Sequence, residues 1–220
     1  DDLIFLFCVH PVASGNWAGF LYLCAGAHAL PGHTLFLRPR AFVPQMKIYF
    51  FKFPLGASLG GAEFHSLQLA EYFQRQGHEV QLFSSDRRLF RLFEQRRLPR
   101  RRLFVGYEPT SKPALLLWPL TYFLAKRKFL KILAAVPNGS VFLFQSLTEK
   151  LILTGPALKH GVKIFWLEHK IPGRWLWQNP LKFWYLKLSR LVQLVTVSNF
   201  AKQEFIKLGV PAKNIQIIYP

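Results

Sequence analysis

The sequence predicts an α/β fold in which a parallel sheet is flanked by helices. From Met46 onward, short β-branched or aromatic runs alternate with amphipathic stretches, the pattern of a parallel sheet covered by helices. A glycine-containing turn, Gly56 to Gly61, leads from the first of those runs into the first amphipathic stretch. The 220 residues, 51% hydrophobic and 16% aromatic, suffice for one substantial core with a short appendage beside it.

The elements follow in order. The first strand is expected at 47–53, Lys47-Ile48-Tyr49-Phe50-Phe51-Lys52-Phe53. Leu67, Leu69, Ala70, Tyr72 and Phe73 then give a helix its apolar face, and Gly77 stands where helices commonly end. His78 to Phe83 resumes the strand pattern, which makes a βαβ start. Further strands are expected near 140–144, 162–168, 192–197 and 214–218, and six strands fit one Rossmann-like domain over residues 46–220. The stretch from Arg87 to Arg102 holds eight arginines against one acid, Glu94, and reads as a helix followed by a basic loop. A second basic helix is expected at 115–133, where Trp118, Tyr122, Phe123, Phe129 and Leu130 accompany Lys126, Arg127, Lys128 and Lys131.

Residues 1–45 read differently. Leu3 to Leu37 carries no Lys, Arg, Asp or Glu, which is long enough to span a bilayer, but Pro11, Gly15, Asn16, Gly19, Gly26, Pro31, Gly32 and three histidines break it into short pieces. Asp1-Asp2 has the wrong charge for a secretory signal. The readings that remain are translated upstream sequence or a poorly ordered extension, a membrane-associated hairpin or anchor, and native structure. Met46, the single methionine, directly precedes the first strand and is the expected biological start. Cys8, His10, Cys24, His28 and His33 are metal-binding residue types whose spacing matches no compact zinc motif.

The formal charge is +18, and since residues 1–45 hold two Asp and two Arg, the whole excess belongs to residues 46–220. Such a surface suits a polyanion. Arginine and lysine interleaved with apolar residues point to an anionic membrane surface, with Arg87, Arg88, Arg91, Lys126, Arg127 and Lys128 as the contacting cations. Nucleic acid is not expected as a partner, because zinc-finger spacing, an aromatic RNA-binding signature and a helix-turn-helix are all missing. Both cysteines lie in the first 45 residues, which argues for a reducing, cytoplasmic compartment.

Three segments carry chemistry. In Gly56-Ala57-Ser58-Leu59-Gly60-Gly61-Ala62-Glu63-Phe64-His65 the glycines admit close backbone approach, and the helix that follows favours an anion such as a phosphate at Gly60-Gly61. The spacing is neither the dinucleotide fingerprint nor a Gly-Lys-Ser/Thr phosphate loop, and a tight turn without ligand explains it equally well. In Trp166-Leu167-Glu168-His169-Lys170-Ile171-Pro172 a strand ends in a charged triplet, the place where open parallel sheets meet ligands. In Val195 to Phe205, Ser198 is suited to cap the following helix, and Leu208-Gly209-Val210-Pro211 and Asn214 to Ile218 come after it.

Taken in order, these segments resemble the amino-terminal domain of the family 4 retaining glycosyltransferases. The match rests on a lysine-initiated strand, Gly60-Gly61-Ala62-Glu63 with His65 two residues on, Gly77-His78-Glu79-Val80, the strand-end His169, and the closing serine, helix and Leu-Gly-Val-Pro. It covers residues 46–220, although 87–135 agrees only in helical character. The resemblance implies the amino-terminal, acceptor-side half of a GT-B fold. It implies that Gly60 and Gly61, with Glu63 and His65, lie near the donor diphosphate and acceptor, and that His169 faces the donor sugar as the catalytic candidate. Glu168, Lys170, Ser198 and Asn199 would line the cleft. Lys170 departs from the acidic or amide residue usual after that histidine.

The implied partners are a nucleotide-sugar donor, a lipid-linked or saccharide acceptor, and a carboxyl-terminal donor domain expected beyond Pro220. The chain stops directly after its last expected strand, so a cut is expected there and the chain alone is expected to be inactive. No cofactor and no metal are expected, the nucleotide-sugar being substrate. Two other readings stand beside this one. A dinucleotide-binding protein would close its second strand with a carboxylate, where Ser84 and Ser85 stand before Asp86. A non-catalytic module binding membrane or nucleic acid would account for the charge but not for His169 or the glycine turn.

Overall fold

The computed structural model describes residues 7–8, 22–23, 45–53 and 60–218, and the chain divides into two units, Asp1–Pro44 and Gln45–Pro220. In the first, β1 (Phe7–Cys8) pairs antiparallel with β2 (Tyr22–Leu23). The other expectations for residues 1–44, a metal cluster among them, lie outside the described residues.

The second unit is built on seven parallel strands in the order β5-β4-β3-β6-β7-β8-β9. These are β3 (Lys47–Lys52), β4 (Glu79–Ser84), β5 (Arg100–Arg102), β6 (Val141–Phe144), β7 (Lys163–Glu168), β8 (Gln193–Thr196) and β9 (Ile215–Ile217). The helices are α1 (Gly61–Arg75), α2 (Arg87–Gln95), α3 (Lys112–Leu116), α4 (Trp118–Leu133), α5 (Leu147–Lys159), α6 (Arg174–Trp177), α7 (Lys182–Ser189) and α8 (Asn199–Leu208). This is a Rossmann-like α/β fold. Among the described residues, no helix is long and apolar enough to cross a membrane.

The sheet is covered on both faces, so β3 is apolar without alternation. Phe50 turns toward Phe73 of α1 and Phe93 of α2, at ring separations of 6.4 and 6.5 Å. Phe51 turns the other way, within 5.1 Å of Phe83, 4.9 Å of Phe142 and 5.4 Å of Phe144, and 6.1 Å from Phe129 of α4. Both phenylalanines are fully buried. Gly77 follows α1 at φ +87° and Gly209 closes α8 at φ +113°, the left-handed conformation that ends a helix at glycine without strain.

Two expectations are corrected. The basic loop after α2 contains the seventh strand: Arg100–Arg102 pairs with Leu82–Ser84 at the sheet edge. A run of arginines has no strand-like alternation, but an edge strand tolerates charge, and charge there blocks pairing with another chain. The Arg100 guanidinium also bonds Glu94 and lies 5.1 Å from the centre of the Phe90 ring. The expected helix over 115–133 is two helices, with α4 restarting at Trp118 and Pro119 in its first turn, where proline loses no hydrogen bond. Asp86, the acid after β4, caps α2 by accepting the N–H groups of Arg88 and Leu89 at 2.8 and 3.2 Å.

Between β3 and β6 the order of strands reverses, and Ser146 joins their carboxyl ends. The Phe53 N–H donates to Ser146 Oγ at 2.7 Å, and that hydroxyl donates to the Phe53 carbonyl at 2.9 Å. Both residues are buried, so Ser146→Ala leaves two unpaired backbone groups and is expected to lower unfolding free energy by about 1–3 kcal/mol in urea titrations.

Candidate functional site

The reversal of strand order between β3 and β6 marks the carboxyl edge of the sheet there as the crevice position, where open α/β sheets take ligands. Helix α1 starts there. Gly60 adopts φ −140°, and its N–H donates to Glu63 Oε2 at 2.8 Å, while Glu63 Oε1 lies 2.8 Å from Lys52 Nζ. No described residue would meet a Cβ at Gly61, so packing among them does not demand glycine there. Burial pushes the Lys52 ammonium below its ordinary pKa against the opposing pull of Glu63. Burial also disfavours the charged Glu63, but the Lys52 ammonium and the Gly60 amide outweigh it and hold the carboxyl below its ordinary range. Lys52 was not among the expected site residues. Its signal was present, since a lysine between Phe51 and Phe53 on a fully buried strand requires an ion partner.

His65 of α1 meets His169, just past β7, with ring centres 5.1 Å apart and planes at 80°. Burial, followed by the nearby cationic forms of His65, Lys52 and Lys150, pushes His169 down to about 3. Burial and then Lys52 lower His65 in the same sense. His65 Nδ1 and His169 Nε2 are buried and have no hydrogen-bond partner among the described residues. A neutral imidazole with an open nitrogen can exchange a hydrogen bond with a hydroxyl, and at neutral pH His169 has no proton of an imidazolium to donate. Ser66 and Gln145 continue this wall, the Ser66 hydroxyl lying 2.7 Å from Gln145 Oε1.

Glu168 does not turn to this wall. Its Oε1 accepts from Lys150 Nζ at 2.6 Å and from the Tyr185 hydroxyl at 2.7 Å, a network buried beneath the sheet edge. Beside it, Glu149 accepts the Gln145 and Ser146 amides, and Glu108 accepts the Leu147 amide. Burial pushes both carboxyls up to about 8, with Glu149 adding to the rise at Glu108. Asn179 Nδ2 donates to the Pro109 carbonyl at 2.6 Å, so the loop before α3 is held from two sides.

The remaining expected residues are spread along the same edge and beyond it. Lys170 is exposed. Ser198 Oγ accepts the Ala201 N–H at 3.1 Å and caps α8, whose first residue, Asn199, is exposed. Arg87, Arg88 and Arg91 are exposed on α2, and Arg127 and Lys128 on α4, while Lys126 is half-buried with its ammonium 5.5 Å from the Tyr122 ring centre. Among the described residues no three His, Cys, Asp or Glu side chains are grouped to hold a metal ion.

The doubly wound parallel sheet flanked by helices is the Rossmann-like α/β fold that GT-B proteins share. The family model of Glycosyltransferase Family 4 matches residues 59–220, and the chain belongs to that family. No curated protein matches it in sequence. Among solved structures it is similar to a glycosyltransferase from Rickettsia africae ESF-5, at 17% identity and TM-score 0.54, covering 80% of this chain and 43% of that one. Anabaena Alr3699/HepE in complex with UDP-glucose matches at 16% identity and TM-score 0.58, covering 80% of this chain and 44% of that one. The UDP-GlcNAc 2-epimerase from Methanocaldococcus jannaschii matches at 14% identity and TM-score 0.51, covering 79% and 45%. The chain spans less than half the length of each, and at these identities the likeness is one of fold.

Two predictions follow from the buried charges. The folded chain keeps protons on Glu108 and Glu149 up to about pH 8, whereas an ordinary carboxyl loses them near 4.5. Their contribution to stability is therefore full below pH 4.5 and is lost as pH rises through about 8. His169 has the opposite slope, its contribution being full above 6.5 and lost as pH falls toward about 3. Scanning calorimetry should therefore show the melting temperature falling between pH 6.5 and 8, with Glu149→Gln flattening the fall. Lys52→Ala strands Glu63 without its cation and should cost about 3 kcal/mol, more than replacing both partners with Met and Gln.

Proposed function

We propose that this domain is the acceptor-side half of a retaining glycosyltransferase that moves a sugar from a nucleotide-sugar to an acceptor hydroxyl. The observation that carries the reading is the coincidence of the family match with a switch-point crevice where Gly60-Gly61 open a helix beside His65 and His169. The start of α1 suits the diphosphate through its backbone amides and dipole. His169, held neutral, suits a hydrogen bond to a sugar hydroxyl, and Lys170, Ser198 and Asn199 stand at the same strand ends. Charge stabilisation of this kind needs no metal.

Donor residues would come from a second domain, and the chain by itself would not turn over nucleotide-sugar. The excess of cations in residues 46–220 supports work on a lipid-linked or saccharide acceptor at the anionic cytoplasmic face of a membrane. Nucleic acid is not part of this reading. The dinucleotide alternative is weakened by Asp86, which is engaged as a helix cap and is not free to meet a ribose.

Amide NMR tests the assignment. Uridine or guanosine diphosphate sugars should shift the resonances of Gly60, Gly61, His65 and His169, NAD should leave them unmoved, and no sugar should be released. NAD shifting them while the sugar nucleotides do not would favour the dinucleotide reading, and turnover by this chain would refute its dependence on a second domain.

A further inference from the structure

We infer that the outer face of α3 and α4 is the surface that seats on an anionic lipid monolayer. This rests on the membrane reading above and relocates the contact from the arginines of α2. Leu116, Leu117, Leu120, Phe123 and Leu124 are each more than half exposed, and Phe183 is 81% exposed. The spacing of the five positions from 116 to 124 is that of one helical stripe. The stripe continues into Arg127, Lys128 and Lys131, all exposed. The opposite side of α4 is apolar too, with Trp118, Ala125, Phe129, Ile132 and Leu133 buried in the core. A helix apolar on both sides is not satisfied by the domain it belongs to.

Charge and residue type identify the occupant. No acid occurs between Glu108 and Glu149 or between Glu168 and Glu204, the segments that contain α3, α4 and α7. At the border of the stripe Tyr122 packs on Trp184 at 5.6 Å with Lys126 over it, and Lys182 lies 4.8 Å from the centre of the Trp177 ring. Aromatic rings with flexible cations around an exposed leucine stripe are the composition of a membrane interface, where rings sit at headgroup depth and ammonium groups reach phosphates. Helix α2 lacks this composition: Leu89 and Phe93 are buried in the core, and Arg87, Arg88 and Arg91 carry its exposed side.

The placement matters for the reaction. Helix α4 returns the chain to the start of β6, so its apolar first turns lie toward the carboxyl edge of the sheet. The loop that enters α3 is joined to that edge through Glu108 and the Leu147 amide. Seating this end on lipid brings the crevice to headgroup level, where an acceptor carrying a lipid tail presents its hydroxyl without leaving the bilayer.

Sedimentation of the full chain with vesicles of phosphatidylcholine, with and without phosphatidylglycerol, tests the surface. Binding is expected only with the anionic lipid, and Leu120→Gln with Phe123→Gln should weaken it about tenfold or more, since both side chains lose apolar contact with the acyl boundary. Both positions are exposed, so an unchanged melting temperature will verify folding. Replacing Arg87, Arg88 and Arg91 with Gln should weaken binding less. If the wild-type chain binds and the α4 variant binds equally well, this surface is wrong while the membrane reading stands. If the wild-type chain does not bind anionic vesicles, the membrane reading falls with it. An altered oligomeric state in the α4 variant with unaltered vesicle binding would assign the face to a protein partner and overturn the inference.

Discussion

The crevice depends on one constraint: β3 is buried on both faces and still ends in a charge. Phe50 and Phe51 anchor the strand in the two layers of helices, which leaves Lys52 no route to bulk water except along the carboxyl edge. A buried ammonium is tolerable only with a carboxylate in reach. Glu63 supplies it, and because its second oxygen takes the Gly60 amide, the ion pair also fixes how α1 begins. Core packing and the start of α1 are thereby tied through one side chain.

The same cation shapes the chemistry around it. Lys52 and Lys150 both disfavour a second positive charge at His169, adding to its burial, so the two histidines meet as neutral rings. On the far side of Lys150, Glu168 and Tyr185 close a network that holds β7 to α5 and α7. Glu108 and Glu149 sit beyond it with raised proton affinity, their anionic forms disfavoured by burial. Neutral imidazoles thus stand among paired charges at this edge, an arrangement suited to exchanging hydrogen bonds rather than to proton transfer by histidine.

Much of this architecture is legible in the chain because each central strand is a compact apolar run bounded by turn residues; Val141–Phe144 and Lys163–Glu168 stand out on that ground. Arg100–Arg102 does not, since an edge strand needs only backbone pairing and its arginines carry no strand signal. The glycine turn and His169 are visible as local patterns. Their neighbours are not: His65 and His169 are brought together only by the strand order β3-β6-β7, and Glu168 turns inward because Lys150, on the helix before it, is buried and needs an anion. Local pattern reports position along the sheet edge, whereas pairing of charges across elements depends on topology.

The pairing of the buried charges bears on how a nucleotide-sugar would be held. Among the described residues the two buried lysines at this edge are both engaged, Lys52 by Glu63 and Lys150 by Glu168. A diphosphate arriving here would meet helix amides and neutral imidazoles, and only partial compensation from cations already neutralised. Arg87, Arg88 and Arg91 of α2 and Arg127 and Lys128 of α4 are exposed on the outer surfaces of those helices instead. Under the function proposed above, the countercharge for a diphosphate at this edge would therefore have to come from groups other than these two lysines.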